Sequence, residues 1–123
     1  MNELVMYAVS LADTPYRYGG ASPENGFDCS GFVGHVFRHS LKITLPRTSR
    51  ELSRIGQAVK HHQLRPGDLV FFNTQESAYS HVGIFVGDGK FVHAPKTGSR
   101  IRVEKMNEQY WANHYDGARR IRV

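Results

Sequence analysis

The sequence lacks the features that would place it among membrane-spanning or disulfide-stabilised proteins. Cys29 is the only cysteine in 123 residues, so no disulfide can form within the chain. No apolar run is long enough to cross a bilayer. The first 15 residues carry Glu3 and Asp13 and have no basic leader followed by an apolar block, so we do not expect a secretory signal peptide there.

Acidic residues are fewer than basic ones, 11 against 16, which gives a formal net charge of +5. Such a charge favours contact with an anionic wall polymer or membrane surface. No basic run is interleaved with aromatic side chains, so specific nucleic-acid binding is not expected. The length predicts one domain, residues 1–123, and the apolar content of 40% suffices for one hydrophobic core.

The hydrophobic periodicity predicts an α+β fold in which helices precede strands. Helices are predicted at about 2–12, 29–39 and 47–55, with Thr48 or Ser49 capping the third. Strands are predicted in LRPGDLVFF, on both sides of Gly-Asp-Gly in HVGIFVGDGKFVHA, in RIRVEK and in ARRIRV. The aromatic connection EQYWANHY is expected to pack against the sheet.

Cys29 is predicted to be the first residue of its helix. Phe32 and Val33 share its face, so the thiol should point toward whatever the helix packs against. Unpaired N–H groups and the helix dipole favour a thiolate there, and we expect them to lower the pKa of the thiol. Gly31 and Gly34 would allow close approach by substrate or another segment. The alternative is a buried, unreactive thiol, the usual state of a lone cysteine in an apolar run.

A cysteine nucleophile needs a base, and the base needs an orienting partner. His81 and His93 are the candidates, because both lie on strands of the predicted hairpin. The other five histidines have other expected places. An exposed helix face should carry His35 and His39, and a solvated polar turn should carry His61 and His62. No partner is evident for His114. No third metal ligand accompanies the helical pair His35 and His39, so no metal is expected there. Catalysis by a cysteine nucleophile with a histidine base needs no cofactor.

The loop of the hairpin decides whether the two candidate histidines share a face. A two-residue loop, Asp88-Gly89, pairs Ile84 with His93 and puts the imidazoles on opposite faces. A three-residue loop, Gly87 to Gly89, pairs Gly83 with His93 and makes His81 a same-face neighbour. Asp-Gly alone favours the two-residue turn, but a catalytic pair requires both imidazoles on one face, so we expect the three-residue loop with positive φ at its last glycine. Its predicted flanking residues are Val86 and Lys90.

Six blocks occur in the order found in the NlpC-type family of papain-like cell-wall cysteine peptidases, which this chain resembles from about residue 14 to its end. The blocks are PYRYGG, FDCSGFV, LPRTS, RPGDLVFF, SHVGIFVG and FVHAP. The resemblance implies a papain-like α+β domain, with N-terminal helices packed on a small antiparallel sheet and a catalytic cysteine at a helix N-terminus. It also implies a peptidoglycan endopeptidase of the cell envelope, periplasmic or secreted, that cuts stem peptides between D-glutamate and a diamino acid through a thioester.

The resemblance also implies roles for individual residues. The catalytic set would be Cys29 as nucleophile, His81 as base, His93 as its orienting partner and Tyr16 as a donor to the oxyanion. Residues expected to bind substrate are Asp28, Ser30, Ser80 and Arg47. An acyltransferase or amidase on the same scaffold and a non-catalytic wall-binding domain are alternatives. A binding domain would tolerate loss of the cysteine or either histidine, so their presence favours the enzyme.

Overall fold

The computed structural model describes residues 2–122 and is an α+β structure, as predicted. Its α-helices are α1 Asn2–Ser10, α2 Cys29–Leu41, α3 Ser49–Leu52 and α4 Gln109–Asn113. Its first four strands are β1 Ala21–Ser22, β2 Gly26–Phe27, β3 Gln57–Val59 and β4 Leu69–Phe72. The last four are β5 His81–Gly87, β6 Lys90–His93, β7 Arg102–Lys105 and β8 Tyr115–Arg120, and one turn of 3₁₀ helix covers His61–Gln63.

A six-stranded antiparallel sheet in the order β3-β8-β4-β5-β6-β7 carries a hydrophobic core on each face. Alternation along β4 sends Leu69 and Phe71 toward α1 and α2, and Val70 and Phe72 toward α4. Trp111 of α4 lies in the second core, so the aromatic connection packs against the sheet as expected. No helix described between residues 2 and 122 has the length and apolar character needed to span a bilayer.

Helix α2 has the predicted start and the predicted buried face. Its apolar stripe is fully buried: Phe32, Val33, Val36 and Phe37. Asp28 is the N-cap, and its carboxylate accepts a hydrogen bond from the N–H of Gly31 at 2.7 Å. The helix ends at Leu41, and its C-cap Lys42 adopts the left-handed conformation that commonly terminates helices.

Other predicted boundaries were wrong. The third helix covers only four residues after its Thr48 cap, and a positive φ at Gly56 turns the chain into β3, a strand that the sequence did not indicate. The last strand is Tyr115–Arg120, whereas it was predicted over residues 118–123, the last of which lies outside the described residues. Asp116 and Gly117 near its start conceal the alternation of apolar and polar residues that is typical of a strand. This strand nevertheless lies inside the sheet, between β3 and β4.

The hairpin turn differs from the predicted three-residue loop. Gly87 pairs with Lys90 across a two-residue turn, and both turn residues have positive φ, 54° at Asp88 and 69° at Gly89. The predicted pairing of Val86 with Lys90 was therefore wrong, whereas the predicted positive φ of Gly89 is confirmed.

A β-bulge nevertheless produces the predicted register beyond the turn. The pairing shifts between Phe85 and Gly87, so that Ile84 faces Val92. The same register sets Gly83 against His93, and a Cβ on Gly83 would lie 3.0 Å from the Cβ of His93. The extra residue therefore sits in the strand instead of the loop, and it places both histidines on one face.

Candidate active site

Cys29 is half-buried at the first position of α2. Burial raises the pKa of its thiol to about 11, and the negative charge of Asp28 adds to that increase. The backbone N–H groups of Val82 and Ser30 act on the sulfur in the opposite direction, but their effect is smaller. The expected lowering of the pKa was therefore wrong, because desolvation outweighs the helix terminus. A protonated thiol needs a base before it can act as a nucleophile.

His81 of β5 and His93 of β6 form a buried pair of imidazoles, and Val82, the residue after His81, directs its N–H at the sulfur of Cys29. Nε2 of His81 lies 2.7 Å from Nδ1 of His93, and the two residues are 3% and 0% exposed. Burial lowers the pKa of both histidines, that of His81 well below its usual 6.5. Trp111 stacks on the ring of His81 and meets the ring of His93 edge-on. Both imidazoles are thus neutral at neutral pH, and Nδ1 of His81 is not used by the pair.

Glu104 extends this pair, and sequence reasoning missed it. Its Oε2 lies 2.6 Å from Nε2 of His93 and accepts a hydrogen bond from Nε of Arg102 at 2.9 Å. Its Oε1 accepts from Nε1 of Trp111 at 3.2 Å. The hydrogen bond with His93 is the main reason that the pKa of Glu104 falls to about 2. The sequence shows Glu104 only as an acidic residue on a strand with alternating polarity. Its contact with His93 depends on the register of β7 against β6, which the sequence does not indicate.

Three of the four predicted substrate-binding residues meet at the start of α2. Arg47 donates from Nη2 and Nη1 to the two carboxylate oxygens of Asp28, at 2.9 and 3.1 Å, and from Nη1 to Oγ of Ser30 at 2.8 Å. The guanidinium is half exposed, whereas Asp28 is largely occupied as helix cap and ion-pair partner. Ser80 is not part of this cluster of hydrogen bonds, since its Oγ accepts from the N–H of Thr74 at 3.0 Å.

Tyr16 packs against the same hydrophobic core as Cys29. Its N–H donates to the carbonyl of Ser99 at 2.9 Å, and a β-bridge to Phe27 fixes its backbone. Burial, followed by the negative charges of Cys29 and Asp28, raises the pKa of its phenol. The hydroxyl is therefore protonated at neutral pH and can donate a hydrogen bond.

The model of the NlpC/P60 family matches residues 13–120 of the chain. The chain belongs to this family. It is 46% identical over 110 residues to "Murein DD-endopeptidase MepH" of Escherichia coli K12, covering 87% of this chain and 41% of that protein. It is 37% identical over 119 residues to "Gamma-DL-glutamyl hydrolase" of Bacillus subtilis 168, covering 96% of this chain and 29% of that protein. This NlpC/P60 chain thus spans less than half the length of either relative.

A solved structure of an NlpC/P60 family protein from Bacillus cereus ATCC 10987 matches with a TM-score of 0.89 and 33% identity. The match covers 98% of this chain and 40% of that one. The family match confirms the predicted NlpC-type assignment, and other relatives include one named "Probable peptidoglycan endopeptidase LytE" of Bacillus subtilis 168.

The remaining histidines of this NlpC/P60 chain make other contacts. His35 is half-buried and bonds through Nε2 to the hydroxyl of Tyr7 at 2.6 Å, so its predicted exposure was wrong. His39 is exposed and stacks on the same tyrosine. His114 bonds through Nδ1 to the carbonyl of Tyr110 at 2.6 Å, and the pair at 61–62 is exposed as expected. Within residues 2–122, no three His, Cys, Asp or Glu side chains are arranged to hold a metal ion.

Proposed function

We propose that this chain carries a cysteine endopeptidase that hydrolyses peptidoglycan stem peptides through a thioester on Cys29. The observation that carries the proposal is the buried pair of His81 and His93. Val82, which follows His81 in β5, directs its N–H at the sulfur of Cys29. Membership of the NlpC/P60 family supports the same chemistry.

In the proposed reaction, His81 Nδ1 takes the thiol proton while the sulfur of Cys29 attacks the carbonyl carbon of the scissile amide. The oxyanion accepts hydrogen bonds from N–H groups at the start of α2 and from the hydroxyl of Tyr16. Protonated His81 then gives its proton to the leaving amine, which breaks the C–N bond and leaves a thioester. Water, deprotonated by His81, hydrolyses the thioester and restores the thiol.

Two bonds are candidates for the cleavage. Family resemblance favours the bond between D-glutamate and the diamino acid, and the hydrolase from Bacillus subtilis is named for a γ-glutamyl bond. The relative from Escherichia coli is named a DD-endopeptidase, which favours a D,D bond. We propose that Arg47, Asp28, Ser30 and Ser80 contact the stem peptide.

We further propose that the domain acts in the cell envelope, where its substrate lies. The net charge of +5 would hold it near anionic wall polymers or a membrane surface. Because exposed charges are screened by salt, hydrolysis of intact wall should weaken with ionic strength more than hydrolysis of a soluble stem peptide.

The proposal is tested by digesting purified peptidoglycan and identifying the new termini by mass spectrometry. Cys29→Ala should keep the fold, seen as an unchanged circular dichroism spectrum. It should lose hydrolysis by about 10⁴-fold or more, as when a catalytic nucleophile is removed. His81→Ala should be similarly inactive, whereas the exposed His62→Ala is the matched control with wild-type activity. Residual activity in a folded Cys29→Ala protein would refute the cysteine mechanism.

A further inference from the structure

Glu104 ends a continuous line of hydrogen bonds that begins at the base. The line runs from Nε2 of His81 to Nδ1 of His93 at 2.7 Å, and from Nε2 of His93 to Oε2 of Glu104 at 2.6 Å. The carboxylate is only 15% exposed, and Arg102 and Trp111 occupy it from two other directions. A group held by three partners at these distances has a fixed position.

The chemistry of these partners determines where the protons lie. Nε of Arg102 and Nε1 of Trp111 can only donate, so both oxygens of Glu104 act as acceptors. An ionised carboxylate accepts only, and therefore Nε2 of His93 must carry the proton in the third hydrogen bond. A neutral imidazole has one donor and one acceptor nitrogen, so Nδ1 of His93 accepts and Nε2 of His81 donates.

We propose that Glu104 is a positioning residue that fixes the tautomers of both imidazoles, so that His81 keeps Nδ1 unprotonated for Cys29. This inference rests on the proposed function, in which His81 is the base. Without the carboxylate, the two imidazoles can reverse the direction of their hydrogen bond. His93 then donates from Nδ1, and His81 carries its proton on Nδ1, where no lone pair remains to accept the proton of the thiol.

Electrostatics supports this arrangement. The pKa of Glu104 is about 2, so the carboxylate is ionised at neutral pH, and burial keeps both imidazoles neutral despite that charge. Once His81 has accepted the thiol proton, the imidazolium still donates from Nε2 to His93, whose other nitrogen faces the carboxylate. The negative charge of Glu104 therefore stabilises the charged form of the base, while Arg102 holds the carboxylate in place.

The tautomers can be measured directly by ¹⁵N NMR of histidine side chains near pH 7.5, with assignments from His81→Gln and His93→Gln. In the wild-type protein, both imidazoles should be neutral with the proton on Nε2. In Glu104→Gln, a population with the proton on Nδ1 should appear for both rings. The amide has the same shape, but it has one acceptor oxygen for three donors. A wild-type spectrum with the proton on Nδ1 of His93 would overturn the proposal.

Kinetics provide the second measurement. Glu104→Gln should lower kcat by about 10- to 100-fold with little change in KM. This loss is smaller than the roughly 10⁴-fold cost of losing a carboxylate that contacts the catalytic histidine directly. Glu104→Asp restores the charge and should recover part of kcat and the wild-type tautomers. Glu108→Gln, the same substitution on the nearby exposed glutamate, is the matched control and should match the wild type.

Alkylation of Cys29 by iodoacetamide separates this proposal from the proposed function, because it needs no wall substrate. The rate constant at pH 7.5 should fall in Glu104→Gln and be unchanged in Glu108→Gln. If the protein hydrolyses no peptidoglycan but the tautomers and alkylation rates change as stated, the endopeptidase assignment fails and the role of Glu104 stands. If Glu104→Gln keeps the wild-type tautomers and alkylation rate, the role of Glu104 is refuted.

Discussion

Tyr16 is the residue whose proposed role depends on a single atom, its phenolic oxygen. If this hydroxyl donates to the oxyanion, Tyr16→Phe should lower kcat by about 10²-fold and leave KM nearly unchanged, because the interaction forms only in the transition state. Steady-state kinetics on a soluble stem peptide measure both constants. Tyr18→Phe is the matched control, since Tyr18 lies in the same loop and is 89% exposed. An unchanged kcat in Tyr16→Phe would make Tyr16 a packing residue only.

Sequence reasoning singled out Cys29, His81 and His93 as candidates, because each stands at a recognisable position in a helix or hairpin. Glu104 could not be found in this way. Its contact with His93 requires β7 to lie beside β6 in one register, and the intervening residues 94–101 show no pattern that sets that register. The direction of the cysteine pKa was also missed, because burial depends on the packing of distant segments.

Two glycines of α2 give opposite predictions at the scale of the element. A Cβ on Gly31 would lie 2.1 Å from the carbonyl oxygen of Gly20, so Gly31→Ala must displace the backbone beside Cys29. A Cβ on Gly34 would meet no atom within 4 Å, so Gly34→Ala should stabilise the helix by about 0.5–1 kcal/mol. Urea unfolding should show a lower midpoint for Gly31→Ala and a higher one for Gly34→Ala.

Activity should separate the two substitutions as well. Gly31→Ala should reduce kcat beyond any loss of folded protein, because the start of α2 positions both the sulfur and the N–H groups around it. Gly34→Ala should leave kcat unchanged. Equal stability and activity of the two variants would contradict the close packing between Gly31 and the loop at Gly20. The sequence predicts a close approach at both glycines, and only Gly31 shows it.

The hairpin shows how a correct conclusion can follow from an incorrect local detail. Asp88-Gly89 specified a two-residue turn through the conformational preferences of its residues, whereas the proposed catalytic pair requires an odd number of residues between the paired positions. The β-bulge between Phe85 and Gly87 satisfies both requirements. No residue pattern in the strand predicts a bulge of this kind, because the position of the bulge depends on how the strand pairs with the rest of the sheet.

At the scale of the whole molecule, periodicity predicted the α+β class and the face of α2 that is buried. It did not predict the order of the strands. The C-terminal strand β8 lies between β3 and β4, and β3 has only one half-buried residue, so neither strand has a strong apolar signature. Pairings between strands that are distant in sequence depend on how the side chains of the whole sheet pack together. The residues of one strand alone therefore do not predict its neighbours.

The buried histidines also predict how the stability of the whole molecule depends on pH. The folded pKa values of His81 and His93 lie below the unfolded value of about 6.5, so the unfolded chain binds more protons in acid. Their contribution is therefore complete above pH 6.5 and is lost as the pH falls through the folded values. Glu104, with a folded pKa of about 2 against 4.5, adds a second loss between pH 4.5 and 2.

Urea unfolding at pH 7.5, 6.5, 5.5 and 5.0 should therefore show a free energy of unfolding that decreases with acid. Each proton taken up on unfolding contributes about 1.4 kcal/mol per pH unit. His93→Gln removes one of the two buried imidazoles. It should therefore reduce the slope by up to about 1.4 kcal/mol per pH unit, which corresponds to one proton. His62→Gln makes the same substitution at an exposed histidine and is the matched control, which should keep the wild-type slope. A wild-type stability that is flat from pH 7.5 to 5.0 would show that the imidazoles accept protons in the folded state as readily as in the unfolded one, and that the pair is not held neutral by burial.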